Sequence, residues 1–298
     1  MYTIAAFYQF TPLADHAANR APLIELAQEH GLSGTILLAP EGINGTIAGT
    51  RAGIDAMLAA LRELPGCSEL QHKQSASDEN PFLRMKVRLK KEIVTMGVDV
   101  DAAHNAGIYV EPRDWNALIC DPDVLLIDAR NAYEVEVGSF EGALDPKTES
   151  FGEFPDRLKE MVAQSGKKRI AMFCTGGIRC EKATAYARSI GFDEVYHLKG
   201  GILKYLEEID ERDSKWNGEC YVFDRRVTVG HGLAPGDYSA CRACGRPVNA
   251  EAMADPRYEL GVSCANCLDE YSAADRKRFR QRQRQIEALE RQNTGGHR

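Results

Sequence analysis

The feature that most constrains the fold is an apolar run that ends in a cysteine and continues into a glycine-containing loop. Residues 168–174 read KRIAMFC, which is typical of a buried parallel strand. After the loop TGGI, apolar residues at helical spacing predict a helix that begins near Arg179 or Cys180 and stops at Gly191. Strand, tight loop and helix in this order indicate an open α/β sheet, in which reactive groups collect where strands end.

The loop suits a reactive thiol at Cys174. Its N–H groups can turn toward Cys174 Sγ, Gly176 and Gly177 allow a close backbone approach, and a helix N-terminus stabilises an anion. A free thiol is only a few per cent ionised at neutral pH. Lowering its pKa by about two units, which corresponds to roughly 2.7 kcal/mol, makes most of it reactive. A buried structural cysteine at a tight turn is the alternative that the spacing leaves open.

The chain of 298 residues is predicted to have three parts, over residues 1–98, 113–212 and 213–298. In the first part, strand TIAAFYQF, a helix over 21–30, strands GTILLAP and NGTIAG, a helix capped by Thr50 and an extended stretch over 82–97 follow one another. This order is that of a ferredoxin-like, acylphosphatase-like domain. The second part, with strands DVLLIDAR and KRIAMFC, is predicted to be α/β, and the third is a small cysteine-rich module with a basic tail.

Composition places the chain among ordinary globular proteins. It is 44% hydrophobic and 27% charged, no apolar run reaches the length of a membrane span, and the N-terminus reads as a strand and not as a signal peptide. Nine cysteines without a compact disulfide framework are typical of metal ligands, catalytic thiols or buried residues in a reducing compartment, so we expect the cytoplasm. The net charge of −7 argues against a protein that coats nucleic acid, but it permits a local basic face.

Four cysteines near the C-terminus have the spacing of a zinc site. Cys241-x-x-Cys244 is followed, after nineteen residues, by Cys264-x-x-Cys267. Four thiolates close a tetrahedral site with no open position, so the predicted zinc is structural. Unpaired thiols in a loop-rich region are the alternative.

Two stretches are locally basic. Arg84, Lys86, Arg88 and Lys90 alternate along RMKVRLKKE, so on a strand they share one face, which suits either RNA or a solvated edge strand protected from aggregation. From Arg276 to Arg298, eight Lys or Arg stand against two Glu, a local balance of +6 that favours an RNA-binding tail; a solvated helical tail is the alternative. The predicted contacts in this tail are Arg276, Lys277, Arg278 and Arg280.

Several segments together resemble known families. CTGGIRC resembles the active-site loop of rhodanese domains, as do LLIDARNAYEVEVGSFEGA and VYHLKGGILKYLEE, although GSFEGA lacks the histidine common after its first glycine. With EGINGT upstream, YVFDRRV downstream and the cysteine-rich end, the chain is similar to the rhodanese-domain tRNA uridine hydroxylases, which form 5-hydroxyuridine at wobble position 34 with molecular oxygen. The resemblance covers most of the chain and is weakest at the end of the tail.

The resemblance implies roles for individual residues. Cys174 is the implied catalytic cysteine, as a thiolate or a persulfide, and Arg179 holds the loop and its anion. Cys180 either resolves an oxidised Cys174 into a disulfide or packs under the loop. Asp128 and Arg130 support the fold near the loop. The residues implied to cradle the anion are Thr175, Gly176, Gly177 and Ile178.

The expected reaction partners are tRNA and O₂, without a membrane or DNA partner and with an unidentified electron donor. No G-x-G-x-x-G follows a strand and no two-His-one-carboxylate set stands out, so the sequence identifies no redox cofactor. We therefore expect thiolate Cys174 to add to C6 of uracil and make C5 electron-rich enough to be oxygenated. A sulfurtransferase that passes persulfide sulfur from Cys174 to a thiol or to RNA, and an RNA-binding adaptor with an inactive rhodanese module, are the alternatives.

Overall fold

The fold is described from a computed structural model, in which residues 1–294 are described, apart from the side chains of Glu290 and of residues 292–294. The chain divides into two compact units. The first contains Met1–Ala132 and Gly142–Tyr205, and the second contains Tyr133–Glu141 and the chain from Leu206 onward. Within the described residues, no helix is both long enough and apolar enough to cross a membrane.

The N-terminal part of the first unit is a five-stranded sheet covered by two helices. Its elements are β1 (Tyr2–Phe10), α1 (Arg20–Glu29), β2 (Ser33–Ala39), β3 (Gly42–Gly49), α2 (Arg51–Arg62), β4 (His72–Ser77) and β5 (Met85–Leu89). The strand order is β4-β1-β3-β2-β5, antiparallel except where β5 runs parallel to β2. Thr50 caps α2 as predicted, because its side chain accepts a hydrogen bond from the Gly53 N–H. The core lies between sheet and helices, with Ile36, Ile47 and Leu58 buried.

The edges of this sheet differ from the prediction. The stretch over 82–97 is a strand only from Met85 to Leu89, and the fourth strand of the ferredoxin-like order is the unpredicted β4, whose sequence is HKQSAS. This strand carries no large apolar side chain and is only half buried or exposed. Its backbone pairing with β1 stabilises it, and side-chain periodicity does not report backbone pairing.

The second part of the first unit is a parallel sheet in the order β6-β10-β9-β7. The elements along this part of the chain are α3 (Ala102–Asn105), β6 (Ile108–Val110), α4 (Pro112–Ile119), β7 (Val124–Asp128), α5 (Ala132–Val135), α6 (Phe154–Ser165), β9 (Arg169–Phe173), α7 (Ile178–Ser189), β10 (Glu194–Leu198) and α8 (Gly201–Glu208). α5 continues into the second unit from Tyr133, and α8 does so from Leu206. The α/β prediction is confirmed. Asp128 pairs with Phe173 in the register of β7 and β9, so the carboxyl ends of both strands meet at one edge.

The second unit is built from short ribbons and two helices. Its elements are β8 (Gly138–Phe140), β11 (Trp216–Gly218), β12 (Cys220–Tyr221), β13 (Thr228–Val229), β14 (Ser239–Ala240), β15 (Pro247–Val248), α9 (Ala250–Ala254) and α10 (Ala273–Thr294). The pairs β8–β11, β12–β13 and β14–β15 are antiparallel. One buried cluster contains three of the four C-terminal cysteines and Val248, so the cysteines themselves form much of the core there.

Candidate active site

Cys174 lies directly after β9, on a loop that leads into α7 and is hydrogen-bonded to the start of α8. α7 begins at Ile178, one residue before the predicted start. The carbonyl oxygens of Cys174 and Thr175 accept hydrogen bonds from the N–H groups of Ile202 and Leu203, at 3.0 and 3.1 Å. The start of α8 therefore fixes the loop that the sequence placed between β9 and α7.

The two loop glycines are not equivalent. Gly177 has a φ of 108°, and a Cβ on it would lie 2.7 Å from the hydroxyl oxygen of Tyr8, so this position requires glycine. A Cβ on Gly176 would meet no atom within 4 Å. The expectation that both glycines serve a close backbone approach is correct for Gly177 only, and the space beside Gly176 is open.

The Cys174 thiol is surrounded by groups that favour its anion. The side chain is fully buried, and burial raises its pKa. The Cys180 thiol, the charge of Arg179 and the backbone N–H groups of Cys180 and Gly177 outweigh burial and lower the pKa of Cys174 to about 6. The Gly177 N–H donates to Cys174 Sγ at 3.2 Å. Cys174 is therefore mostly thiolate at neutral pH.

Cys180 is the proton donor of this pair. It is the third residue of α7 and is fully buried. Burial and the hydrogen bond to Cys174 raise the pKa of Cys180 well above its usual value. One loop therefore holds a thiolate next to a protonated thiol, an arrangement in which one sulfur is nucleophilic and the other carries a proton.

The charged residues around the loop are buried and paired. Arg179 is 8% exposed and donates to Thr175 Oγ1 at 3.3 Å, which ties the guanidinium to the loop. Asp128 and Arg130 have fully buried side chains joined by hydrogen bonds of 2.6 and 2.9 Å. This bidentate pair fits the predicted support of the fold at the end of β7.

A carboxylate that the sequence reasoning missed lies beside the thiol pair. Glu181 follows Cys180 on α7 and is 9% exposed. It accepts a hydrogen bond from Tyr8 of β1 at 2.8 Å, and Tyr109 of β6 also hydrogen-bonds to it. Burial, together with the charge of Cys174, raises the pKa of Glu181. Its position directly after the second cysteine was the available signal, but the carboxylate's burial depends on β1, which is distant in sequence.

Lys182 anchors the same helix through a second buried cluster. Its side chain is 1% exposed and its ammonium group lies 2.9 Å from a Glu41 carboxylate oxygen. It also donates to Glu92 and, at 3.2 Å, to the Val94 carbonyl. Glu41 belongs to the EGIN turn between β2 and β3, so the first sheet holds α7 in place.

The four C-terminal cysteines come together as predicted. Their Sγ atoms all lie within 4.8 Å of one another, and three of the pairs are 3.6, 3.8 and 4.0 Å apart. Metal–sulfur bonds of about 2.3 Å in a tetrahedron require sulfur atoms about 3.8 Å apart. Cys241, Cys244, Cys264 and Cys267 can therefore hold a metal ion, a donor set compatible with zinc.

The first basic stretch lies on the edge strand β5. Lys86 and Arg88 are in the strand, whereas Arg84 and Lys90 flank it. Lys86 is half-buried and the other three are exposed, and Arg20 donates to the Val87 carbonyl at 3.0 Å beside them. The structure thus presents a row of cations on a strand that has a partner, β2, on one side only.

The second basic stretch is helical, but two of its predicted RNA contacts have partners within the protein. Arg276 donates to the Leu268 carbonyl at 2.6 Å, and Arg280 pairs with Glu259 at 2.6 Å. Lys277 and Arg278 are exposed, and Arg278 pairs with Asp275. Arg298, which contributes to the predicted charge of the tail, lies outside the described residues, as does the side chain of Glu290.

Comparison with known proteins agrees with this geometry. Residues 2–93 match the family model described as UPF0176 acylphosphatase like domain, and residues 111–208 match the Rhodanese-like domain. The chain is 56% identical to a tRNA uridine(34) hydroxylase of Agrobacterium fabrum, over 96% of this chain and 91% of that protein. It is 56% identical to a tRNA uridine(34) hydroxylase of Gluconobacter oxydans, over 99% of this chain and 95% of that protein. It is 57% identical to a tRNA uridine(34) hydroxylase of a Jannaschia species, over 96% of this chain and 95% of that protein. The chain belongs to the family of tRNA uridine(34) hydroxylases.

Proposed function

We propose that this chain hydroxylates C5 of uridine 34 in tRNA, with O₂ as the oxygen source and Cys174 as the nucleophile. The observation that carries the proposal is the buried Cys174 thiolate, held by the N–H groups of a glycine loop and the charge of Arg179. Such a thiolate is both nucleophilic and a good leaving group, which a reversible addition to a pyrimidine requires.

The first step is addition of Cys174 Sγ to C6 of the uracil ring. A C6–S bond forms, and the electrons of the C5–C6 double bond move toward the C4 carbonyl to form an enolate. C5 of this enolate is electron-rich and combines with O₂ to give a C5 peroxide anion, which takes the proton of the Glu181 carboxyl group and becomes a hydroperoxide. Arg179 and the loop N–H groups stabilise the thiolate before the addition and receive it again when it leaves.

Cys180 supplies the electrons that cleave the O–O bond. Its sulfur attacks the distal oxygen and becomes a sulfenic acid, while its proton passes to the oxygen left on C5. The Glu181 carboxylate, whose pKa is raised by burial and by the charge of Cys174, then takes the C5 proton as Cys174 leaves C6. Cys174 and the sulfenic acid then condense to a disulfide and water. Uridine, O₂ and two thiols thus become 5-hydroxyuridine, water and a disulfide, which an external thiol reductant must reduce.

The test is nucleoside mass spectrometry of tRNA after incubation with the purified protein and a dithiol, in ¹⁸O₂ and without oxygen. We expect 5-hydroxyuridine that carries one ¹⁸O atom, absent without oxygen and absent with Cys174→Ala. Full hydroxylation by Cys174→Ala would eliminate the thiol mechanism. A sulfur-containing nucleoside, or sulfur transfer to a thiol without any change in tRNA, would assign the sulfurtransferase activity instead.

We further propose that the four-cysteine cluster holds one structural zinc ion. The sulfur spacing supports this, since it matches a tetrahedral site that all four thiolates fill. The metal would fold a region whose core contains the cysteines themselves. Metal analysis of protein purified under reducing conditions should find about one zinc ion per chain; a value near zero would remove the proposal.

For the RNA contact surface we propose the β5 row of Arg84, Lys86, Arg88 and Lys90, with Lys277 and Arg278 as a weaker second set. Each lost phosphate contact should lower the slope of log affinity against log salt by about one. Arg88→Ser with Lys90→Ser should therefore lower the slope by about two, whereas Arg280→Ser, which breaks a pair within the protein, should leave it unchanged. A slope that stays the same in the double variant would assign β5 to a solvated edge strand.

A further inference from the structure

The YVFDRRV segment forms a hairpin that presents an aromatic ring to solvent. β12 and β13 pair as Cys220 with Val229 and Tyr221 with Thr228. Val222 N–H then donates to the Val227 carbonyl at 2.8 Å and closes the loop over residues 223–226. Phe223 lies at this tip with 66% of its surface exposed. A single exposed apolar residue is common on protein surfaces, so the exposure of Phe223 becomes informative only through the groups around it.

The exposed ring is the outermost member of a row of three aromatic side chains. Tyr221 packs edge-to-face against Phe223 with ring centroids 5.1 Å apart, and Tyr133 packs against Tyr221 at 5.3 Å. The Tyr221 hydroxyl lies 3.5 Å from the carbonyl oxygen of Gly245, the residue after Cys244. Tyr221 therefore links the knuckle at Gly245 to the hairpin tip and supports the Phe223 ring.

The hairpin tip contains an ion pair and a residue with a strained backbone. Asp224 and Arg226 are joined at 2.6 Å, and Val227 N–H donates to the Asp224 carbonyl at 3.1 Å. Val227 has a φ of 64°, which a β-branched residue adopts at a cost of about 1–3 kcal/mol. A turn closed by these hydrogen bonds is preorganised, so a ligand that contacts Phe223 does not have to order it.

We propose that Phe223 is a stacking platform for an unpaired base in a loop of the RNA substrate, with Arg225 contacting an adjacent phosphate. Unpaired bases stack on exposed aromatic rings, whereas bases in a duplex have no free face. Residues 224–226 carry two arginines and one aspartate, so the tip has the net positive charge that suits RNA. The choice of RNA as the partner rests on the proposed function. The stacking geometry itself is independent of the chemistry at Cys174.

The test uses full-length Phe223→Trp as a fluorescent reporter. The two native tryptophans, Trp115 and Trp216, are 0% and 5% exposed, so they are shielded from direct stacking. A stem–loop RNA and a blunt duplex of equal length are titrated at the same salt concentration. We expect saturable quenching by the stem–loop and little by the duplex. No quenching, equal quenching by both RNAs, or a change that follows protein concentration without RNA would overturn the proposal, the last in favour of self-association.

A second comparison uses Phe223→Ala and Leu289→Ala, which removes another exposed apolar side chain, on α10. Stacking on one aromatic ring accounts for about 5- to 100-fold in affinity. Phe223→Ala should weaken stem–loop binding within this range, Phe223→Tyr should restore it, and Leu289→Ala should bind normally. Unchanged binding by Phe223→Ala would overturn the proposal. Because binding is measured without turnover, normal stacking with no hydroxylation would refute the proposed function and leave the platform intact.

Discussion

The protein contains two groups of cysteines whose thiols relate to the surrounding structure in opposite ways. Cys174 and Cys180 lie on a strand–loop–helix segment whose N–H groups, arginine and start of α8 are fixed by regular structure. The four cysteines near the C-terminus lie on short ribbons and knuckles, and their own sulfur atoms form much of the local core. In the first group the surroundings position the thiols, whereas in the second the thiols position the surroundings.

The two groups also differ in the surroundings of their sulfur atoms. The N–H groups of Gly177 and Cys180 favour the anion of Cys174, so Cys174 is ionised, while burial keeps its neighbour Cys180 protonated. In the four-cysteine cluster the sulfur atoms all lie within 4.8 Å of one another, which suits a closed metal site with no open position. Four predictions test this contrast, from the largest expected effect to the smallest.

Replacing the nucleophile should abolish the reaction and spare the fold. Cys174→Ala should lower the rate of 5-hydroxyuridine formation by roughly 10⁴-fold or more, because no other group forms the C6 bond. The melting temperature should change by only a few degrees, since one sulfur atom leaves a small cavity. Initial rates and calorimetry measure the two effects. A large loss of stability with retained activity would mean that Cys174 is a structural residue and not the nucleophile.

Replacing the protonated thiol should slow turnover by roughly 10²-fold, since Cys180 is proposed to supply a proton and two electrons. Cys180→Ala should also eliminate the Cys174–Cys180 disulfide that forms when wild-type protein turns over without added reductant. Peptide mapping under non-reducing conditions detects this disulfide. Normal rates in Cys180→Ala would leave Cys180 as a packing residue.

Replacing one of the four cysteines proposed to bind zinc should affect structure and recognition before chemistry. Cys264→Ser should lower the zinc content to below about 0.1 per chain and weaken stem–loop RNA binding roughly tenfold, because Tyr221 and the hairpin rest on the knuckle at Gly245. The pKa of Cys174 should remain at about 6. Cys120→Ser, at an exposed cysteine outside both groups, is the matched control and should change nothing. Full zinc occupancy in Cys264→Ser would contradict the four-ligand site.

The smallest effect concerns pH. Because the pKa of Cys174 is depressed to about 6, the thiolate is populated above that pH, and activity should fall as the pH drops through it. Arg179→Gln removes the neighbouring charge and should raise the midpoint by about one unit, which costs only about twofold in thiolate at pH 7. Thiolate absorbance near 240 nm and the pH–rate profile report the shift. A midpoint unchanged by Arg179→Gln would show that the charge of Arg179 does not lower the pKa of Cys174.

Much of the fold followed from local patterns. The strand that leads directly to Cys174, the Thr50 cap and the paired C-x-x-C spacing each arise within a few neighbouring residues, and each is confirmed. β4 was missed because an edge strand without apolar side chains leaves no periodic signal. The RNA role of Arg276 and Arg280 was proposed from charge alone, which says nothing about internal partners such as Glu259.

By itself, the sequence determined which residues lie on the loop after Cys174 and which four cysteines come together, because spacing along strands, helices and knuckles is a local property. Only the tertiary structure decided that Gly177 must be glycine, since the atom that excludes a side chain there belongs to Tyr8 of β1. It also decided that Glu181 and Lys182 are buried, because their partners Tyr8, Glu41 and Glu92 come from another sheet and its connections. Burial and charge pairing are sums over residues distant in sequence, so they appear only when the chain has folded.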